Sequence, residues 1–186
     1  MKIKDLEFIQ QAKYKRTDDL PEYAFVGRSN AGKSSIINEI LNWKINRVSK
    51  RPGCTRLINK IKINDSFYIV DLPGYGFAKV ALSAKKKFSK LTENYIKDSD
   101  NLRLVFIIMD MKVAPTELDI VMIQWLKDLG RNFVLVFNKS DKIPKNKLQS
   151  RKNEIWKILG FKYPEITVSV LKNENLRKIE DYFFKK

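Results

Sequence analysis

Gly27-Arg28-Ser29-Asn30-Ala31-Gly32-Lys33-Ser34 stands between a short apolar run, Tyr23–Val26, and an amphipathic one, Ser34–Leu41. A glycine-rich turn from strand to helix is a phosphate-binding loop. Its backbone N–H groups wrap an anion, the helix points its positive end at it, and Gly32 lets the backbone approach closely. In such a loop Lys33 reaches the β- and γ-phosphates and the Ser34 hydroxyl binds Mg²⁺. The ligand class is a nucleoside triphosphate.

Later segments select among triphosphates. Asp71-Leu72-Pro73-Gly74 ends the run Phe67–Val70, where a carboxylate can join the outer coordination sphere of Mg²⁺ and the Gly74 N–H can meet a γ-phosphate. Asn138-Lys139-Ser140-Asp141 ends the run Phe133–Phe137. A carboxylate at Asp141 accepts from both N1–H and N2–H₂ of guanine, a donor pair that adenine lacks. Asn138 can tie this loop to the phosphate loop, and the Lys139 stem can lie along base and sugar. Val168-Ser169-Val170 follows the last strand, so Ser169 can hold Asp141 and the Val170 N–H can donate to guanine O6. Thr55, in a polar loop after Pro52-Gly53, can close on Mg²⁺ and γ-phosphate only while the triphosphate is bound, which makes an order–disorder switch.

The elements that must position these residues follow from periodicity. Tyr23–Val26, Phe67–Val70, Leu104–Met109, Phe133–Phe137 and Ile166–Val168 read as buried strands. Between and after them, Ser34–Leu41, Ala84–Ile96, Thr116–Leu129, Lys147–Leu159 and Leu176–Phe184 read as helices. Leu57–Ile63 meets Phe67–Val70 across Asn64-Asp65-Ser66, a hairpin turn. The expected fold is a three-layer α/β domain with a mostly parallel six-stranded sheet and one antiparallel edge strand. Residues 1–20 are expected to form an extension packed on a nucleotide-binding domain of residues 21–186. Asn42–Arg56 reads as a long loop, the kind that is usually functional.

Composition narrows the chemistry. With 186 residues, one cysteine (Cys54) and no histidine, the chain can form no internal disulfide, and histidine-based acid/base or zinc chemistry is excluded. A reducing cytosol is the natural compartment, and a cytoplasmic location is expected. Residues 1–20 match neither a signal nor a transit peptide, and no run is long enough to span a membrane. The 37 Lys+Arg against 21 Asp+Glu give a net charge of +16, which points to a polyanionic partner, either nucleic acid or an anionic membrane surface. The cations Lys44, Arg47, Lys50, Arg51 and Arg56 flank Thr55, while Lys79 and Lys85–Lys87 follow Gly74.

Taken together, the chain resembles the EngB-type (YihA/YsxC) GTPases, small Ras-like G proteins associated with assembly of the large ribosomal subunit. The resemblance runs from about Pro21 to the C-terminal helix. Its motifs are Gly27–Ser35 with Asn38, Ser49-Lys50-x-Pro52-Gly53-x-Thr55, Asp71-Leu72-Pro73-Gly74-Tyr75-Gly76-x-Ala78-Lys79-Val80, and Pro115-Thr116-Glu117-Leu118-Asp119. It implies a Ras-like G domain with GTPase activity, in which Ser34 and Thr55 ligate Mg²⁺ and Lys33, Thr55 and Gly74 serve hydrolysis. Further GTP contacts are implied for Gly53, Cys54, Arg56 and Leu57, together with the base readers Asn138 and Asp141 and the loop Val168–Val170. Implied partners are the large subunit or its precursor and ribosomal RNA, with a monomeric protein and, through the family, a part in normal cell division and septation. The chain departs from the pattern at Cys54 (a basic residue is usual), Arg56 (Gln), Asn138 (Thr) and Val170 (Ser).

One helper is missing. Tyr75 holds the place where Ras-like proteins carry a Gln that orients the attacking water, so unaided turnover is expected to be slow. An external positive charge would compensate. One source is an arginine or an RNA-ordered switch on the ribosome, and the other is a potassium ion held by Asn30.

Overall fold

The structure, a computed structural model, describes residues 2–42, 57–76 and 88–184. Seven strands form one sheet: β1 (Leu6–Gln11), β2 (Glu22–Gly27), β3 (Ile58–Ile63), β4 (Phe67–Asp71), β5 (Leu102–Asp110), β6 (Phe133–Asn138) and β7 (Glu165–Thr167). The helices are α1 (Lys33–Leu41), α2 (Lys90–Asp98), α3 (Glu117–Asp128), α4 (Leu148–Leu159) and the short α5 (Arg177–Glu180), which a 3₁₀ turn, Asp181–Phe183, extends. The order across the sheet is β1-β3-β4-β2-β5-β6-β7.

The antiparallel strand is β3, as the hairpin reading requires, but it is not the edge. Leu6–Gln11 pairs antiparallel with β3 along its whole length, from Leu6 opposite Ile63 to Gln11 opposite Ile58, and adds a seventh strand outside it. The hairpin turn carries Asn64 and Asp65 at φ of 47° and 49°, the left-handed region a tight turn needs. Asn64 also fastens the N-terminal segment: its Oδ1 accepts from the Lys4 and Asp5 N–H groups at 2.8 and 3.1 Å.

Side chains alternate across β2, so Tyr23 and Phe25 face one core and Ala24 and Val26 the other. The first core is closed by Ile36, Ile37 and Ile40 of α1 and by Ile179 and Phe183 at the C-terminus. The second is closed by Tyr95 and Ile96 of α2, Met122 and Leu126 of α3, and Ile155 and Trp156 of α4. This is the expected three-layer arrangement, and it brings the C-terminal ends of β2, β4, β6 and β7 to one rim of the sheet.

At the opposite rim lies a buried polar cluster. Lys60 and Glu22 are both fully buried and pair at 2.6 Å, with Lys60 also donating to Thr17 Oγ1 at 3.0 Å and lying 4.2 Å over the Tyr68 ring. The second Glu22 oxygen accepts from Tyr95 at 2.6 Å and Ser99 at 3.0 Å. The N-terminal segment, β2, β3 and the end of α2 are thereby joined around one carboxylate.

Candidate functional site

Gly27 ends β2 so close to β5 that a Cβ would come within 2.7 Å of the Ile108 carbonyl oxygen. The chain then turns through Arg28–Ala31 and enters α1 at Gly32, whose φ of 96° is a conformation that side chains rarely adopt. A Cβ on Gly32 would also lie 2.2 Å from the Asn138 amide nitrogen. That contact exists because Asn138 donates to the Ala31 carbonyl at 2.9 Å and so bolts the end of β6 to the phosphate loop. Lys139 adds a second tie: its ammonium donates to the Asn30 carbonyl at 2.8 Å and pairs with Asp110 at 2.7 Å.

Below the loop, Lys33 forms an ion pair with Asp71 at the end of β4. Both are buried, and burial pulls the Lys33 ammonium down to about 7. Ser34 occupies the first turn of α1, and Asp71 sits in register with Phe25 of β2. Lys33 and Asp71 thus meet at the start of α1, where Ser34 follows Lys33 in the chain. A serine hydroxyl and a carboxylate are oxygen donors of the kind that suits Mg²⁺. After Asp71 the chain arches over Leu72 and Pro73, and a Cβ on Gly74 would stand 3.2 Å from the Gly27 carbonyl oxygen. Tyr75 then pairs with the phosphate loop, donating its N–H to Gly27 O at 3.2 Å and accepting the Ser29 N–H at 3.1 Å.

The residues expected to read the base meet at the neighbouring strand ends. Ser169, fully buried, donates its hydroxyl to Asp141 Oδ1 at 2.7 Å, and the Ser140 N–H donates to the Val168 carbonyl at 3.2 Å. The Ser169 hydrogen bond holds the Asp141 carboxyl below its ordinary value, against the opposing effect of desolvation. Asp141 Oδ2 and Asn138 Oδ1 are buried without a hydrogen-bond partner among the described residues. Lys142 lies 3.5 Å from the former. A buried carboxylate oxygen with no hydrogen-bond partner among the described residues fits the N–H pair of guanine. Val170 continues this loop, its carbonyl accepting the Asn173 N–H at 3.2 Å.

Gly53, Cys54, Thr55 and Arg56 lie outside the described residues, as do Lys44, Arg47, Lys50, Arg51, Lys79 and Lys85–Lys87; Leu57 directly precedes β3. No motif in the sequence singles out Asp110, the partner of Lys139, or assigns a role to Asp119, which accepts from the buried Tyr75 hydroxyl at 2.9 Å. The Pro115–Asp119 stretch is the one local signal.

A family model described as a 50S ribosome-binding GTPase matches residues 22–139. A relative in Clostridium beijerinckii, described as a probable GTP-binding protein EngB, is 46% identical over 158 residues, 83% of this chain and 79% of the relative. Its counterpart in Clostridium perfringens (strain SM101) is 41% identical over 190 residues, covering 99% and 96%. Among solved structures, that of a probable GTP-binding protein EngB superposes with a TM-score of 0.71 at 24% identity, covering 88% of this chain and 96% of that one. Era in complex with MgGDPNP and a 16S ribosomal RNA segment superposes at 0.66, also at 24% identity, over 88% and 55%. With the family model and these relatives in agreement, the chain belongs to the EngB family of GTP-binding proteins and is a GTPase.

Proposed function

We propose that this GTPase is a nucleotide-controlled assembly factor of the large ribosomal subunit that binds the subunit or its precursor through ribosomal RNA. The observation that carries the reading is where the charge lies. Residues 43–56 hold five cations and residues 77–87 four, without a single acid in either, so nine charges of the net +16 sit on the two segments that flank the γ-phosphate readers Thr55 and Gly74. Charge on segments that answer to nucleotide couples polyanion affinity to GTP. The match to a 50S ribosome-binding family and the RNA-bound state of the structural neighbour Era support the same partner class. No helix among the described residues is long and apolar enough to cross a membrane. A contribution to cell division and septation would follow from the supply of subunits.

In this reading Asp141 and Asn138 fix the base, the Gly27–Gly32 backbone holds the β-phosphate, and Lys33 leaves Asp71 for the phosphates, where it neutralises charge that develops in the transition state. Ser34 and Thr55 would hold Mg²⁺, with Asp71 behind them; the ion, when bound, neutralises the β- and γ-oxygens. Tyr75 offers no help with water, because its hydroxyl is committed to Asp119. The test is phosphate release from GTP with and without purified large subunits. Release that rises about tenfold or more on adding subunits agrees with the proposal; a rate indifferent to subunits, small or large, contradicts it.

A further inference from the structure

Pro115-Thr116-Glu117-Leu118-Asp119 is distinctive in sequence, yet it lies outside the motifs expected to contact nucleotide. In the fold it opens α3 and buries Asp119 to 2% exposure beneath Tyr75. The two Asp119 oxygens divide their work. Oδ2 accepts from Thr116 N–H at 2.7 Å and Thr116 Oγ1 at 2.8 Å, which secures the helix start. Oδ1 accepts from the Tyr75 hydroxyl at 2.9 Å, 44 residues away in the chain. That second bond contributes nothing to the cap of α3.

What it does is fix Tyr75, whose ring is buried edge-on to Phe88 at 5.6 Å and whose backbone already pairs with Gly27 and Ser29. Tyr75 is thus clamped by its backbone on one side and its hydroxyl on the other. The arch Leu72–Gly74 spans two fixed points, the Leu72 N–H on the Phe25 carbonyl at 3.2 Å and Tyr75 itself. Beyond the clamp, Gly76 turns the chain away at a φ of 81°.

We propose that Asp119 is a positioning residue for the γ-phosphate: through the Tyr75 hydroxyl it holds the Gly74 backbone against the phosphate loop, ready for GTP and of no consequence to GDP. Ordering this arch before the ligand arrives removes the ordering cost from GTP binding. A phenol on a buried carboxylate is a charge-assisted bond, and losing it leaves an unpaired buried oxygen. The inference rests on Gly74 as the γ-phosphate reader, so the experiment tests that separately.

Tyr75→Phe removes the hydroxyl while keeping the ring and the Thr116 cap. Titrating fluorescent GDP and a non-hydrolysable GTP analogue, we expect analogue affinity to fall about 5- to 20-fold and GDP affinity to stay within about twofold. Asp119→Asn, which keeps the shape but weakens the acceptor, gives the same selective loss, and the double variant falls short of the product of the two. Gly74→Ala in the same assay is also selective against the analogue. Equal effects of Tyr75→Phe on both nucleotides, or none on either, with Gly74→Ala still selective, overturn the clamp and leave Gly74 its role. A Gly74→Ala variant that treats both nucleotides alike removes the reading of Gly74 and the proposal with it.

Discussion

Ser169 donates its hydroxyl to one oxygen of Asp141 at 2.7 Å and leaves the other, Oδ2, buried without a hydrogen-bond partner among the described residues. One oxygen is braced by Ser169, and the other lies 3.5 Å from the Lys142 ammonium. Because the Ser169 bond lowers the Asp141 carboxyl below its ordinary value, the group is ionised throughout the neutral range. The stability it contributes is present above a pH of about 4 and is lost as pH falls through the lowered value.

Asp141→Asn replaces the carboxylate expected to accept from two guanine donors with an amide. Guanine nucleotides should bind about 10- to 1000-fold more weakly, roughly 1.4 to 4 kcal/mol, and xanthine nucleotides should gain. Ser169→Ala removes only the brace, so its loss should be smaller, about 3- to 10-fold, without the turn toward xanthine. Fluorescent-nucleotide titration reads both. Unchanged GDP affinity in Asp141→Asn would place the base elsewhere.

Lys60 and Glu22 predict a stability effect remote from nucleotide. Lys60→Met strands a buried carboxylate and should cost about 3–5 kcal/mol, whereas adding Glu22→Gln should recover much of it, since a neutral pair carries no uncompensated charge. Urea unfolding of the GDP-free protein measures both. A single variant as stable as the parent would show that the pair carries no net burial cost.

Much of this architecture is legible in residue order because the chemistry is local. Tyr23 and Phe25 alternate with Ala24 and Val26, and Asn64-Asp65 takes the left-handed turn that its residue types favour. The phosphate loop and the Asn138–Asp141 stretch are likewise local, since in each the residues that matter stand within one turn at the end of a strand. Strand β1 escapes notice because an edge strand buries only part of each face: Glu7, Phe8 and Gln10 are exposed, which leaves no clean alternation. Tyr75 and Asp119, or Lys60 and Glu22, escape for another reason. Their partners lie 44 and 38 residues away, and only the packing of different elements brings them together.

Asn30 carries the prediction on hydrolysis. Its carbonyl accepts from Lys139 at 2.8 Å and its side chain is exposed. K⁺ should accelerate GTP hydrolysis over Na⁺ at equal ionic strength, and Asn30→Ala should remove the difference while retaining Mg²⁺-GTP binding. Equal rates in the two salts, with subunits present and absent, would leave an external activator as the source of the missing charge.

The proposed contact with RNA phosphates predicts a salt response. Association with large subunits should fall steeply between low and physiological salt, and neutralising Lys50 together with Arg51 should flatten the slope by about two released ions. A salt-insensitive association would move the contact from phosphates to protein surfaces.

The most direct test of a nucleotide-controlled partner of the large subunit is co-sedimentation of the protein with ribosomal subunits in a non-hydrolysable GTP analogue and in GDP. Protein should travel with the large subunit in the analogue and return to the free fraction in GDP. The same distribution in both nucleotides, or association with the small subunit alone, would contradict it.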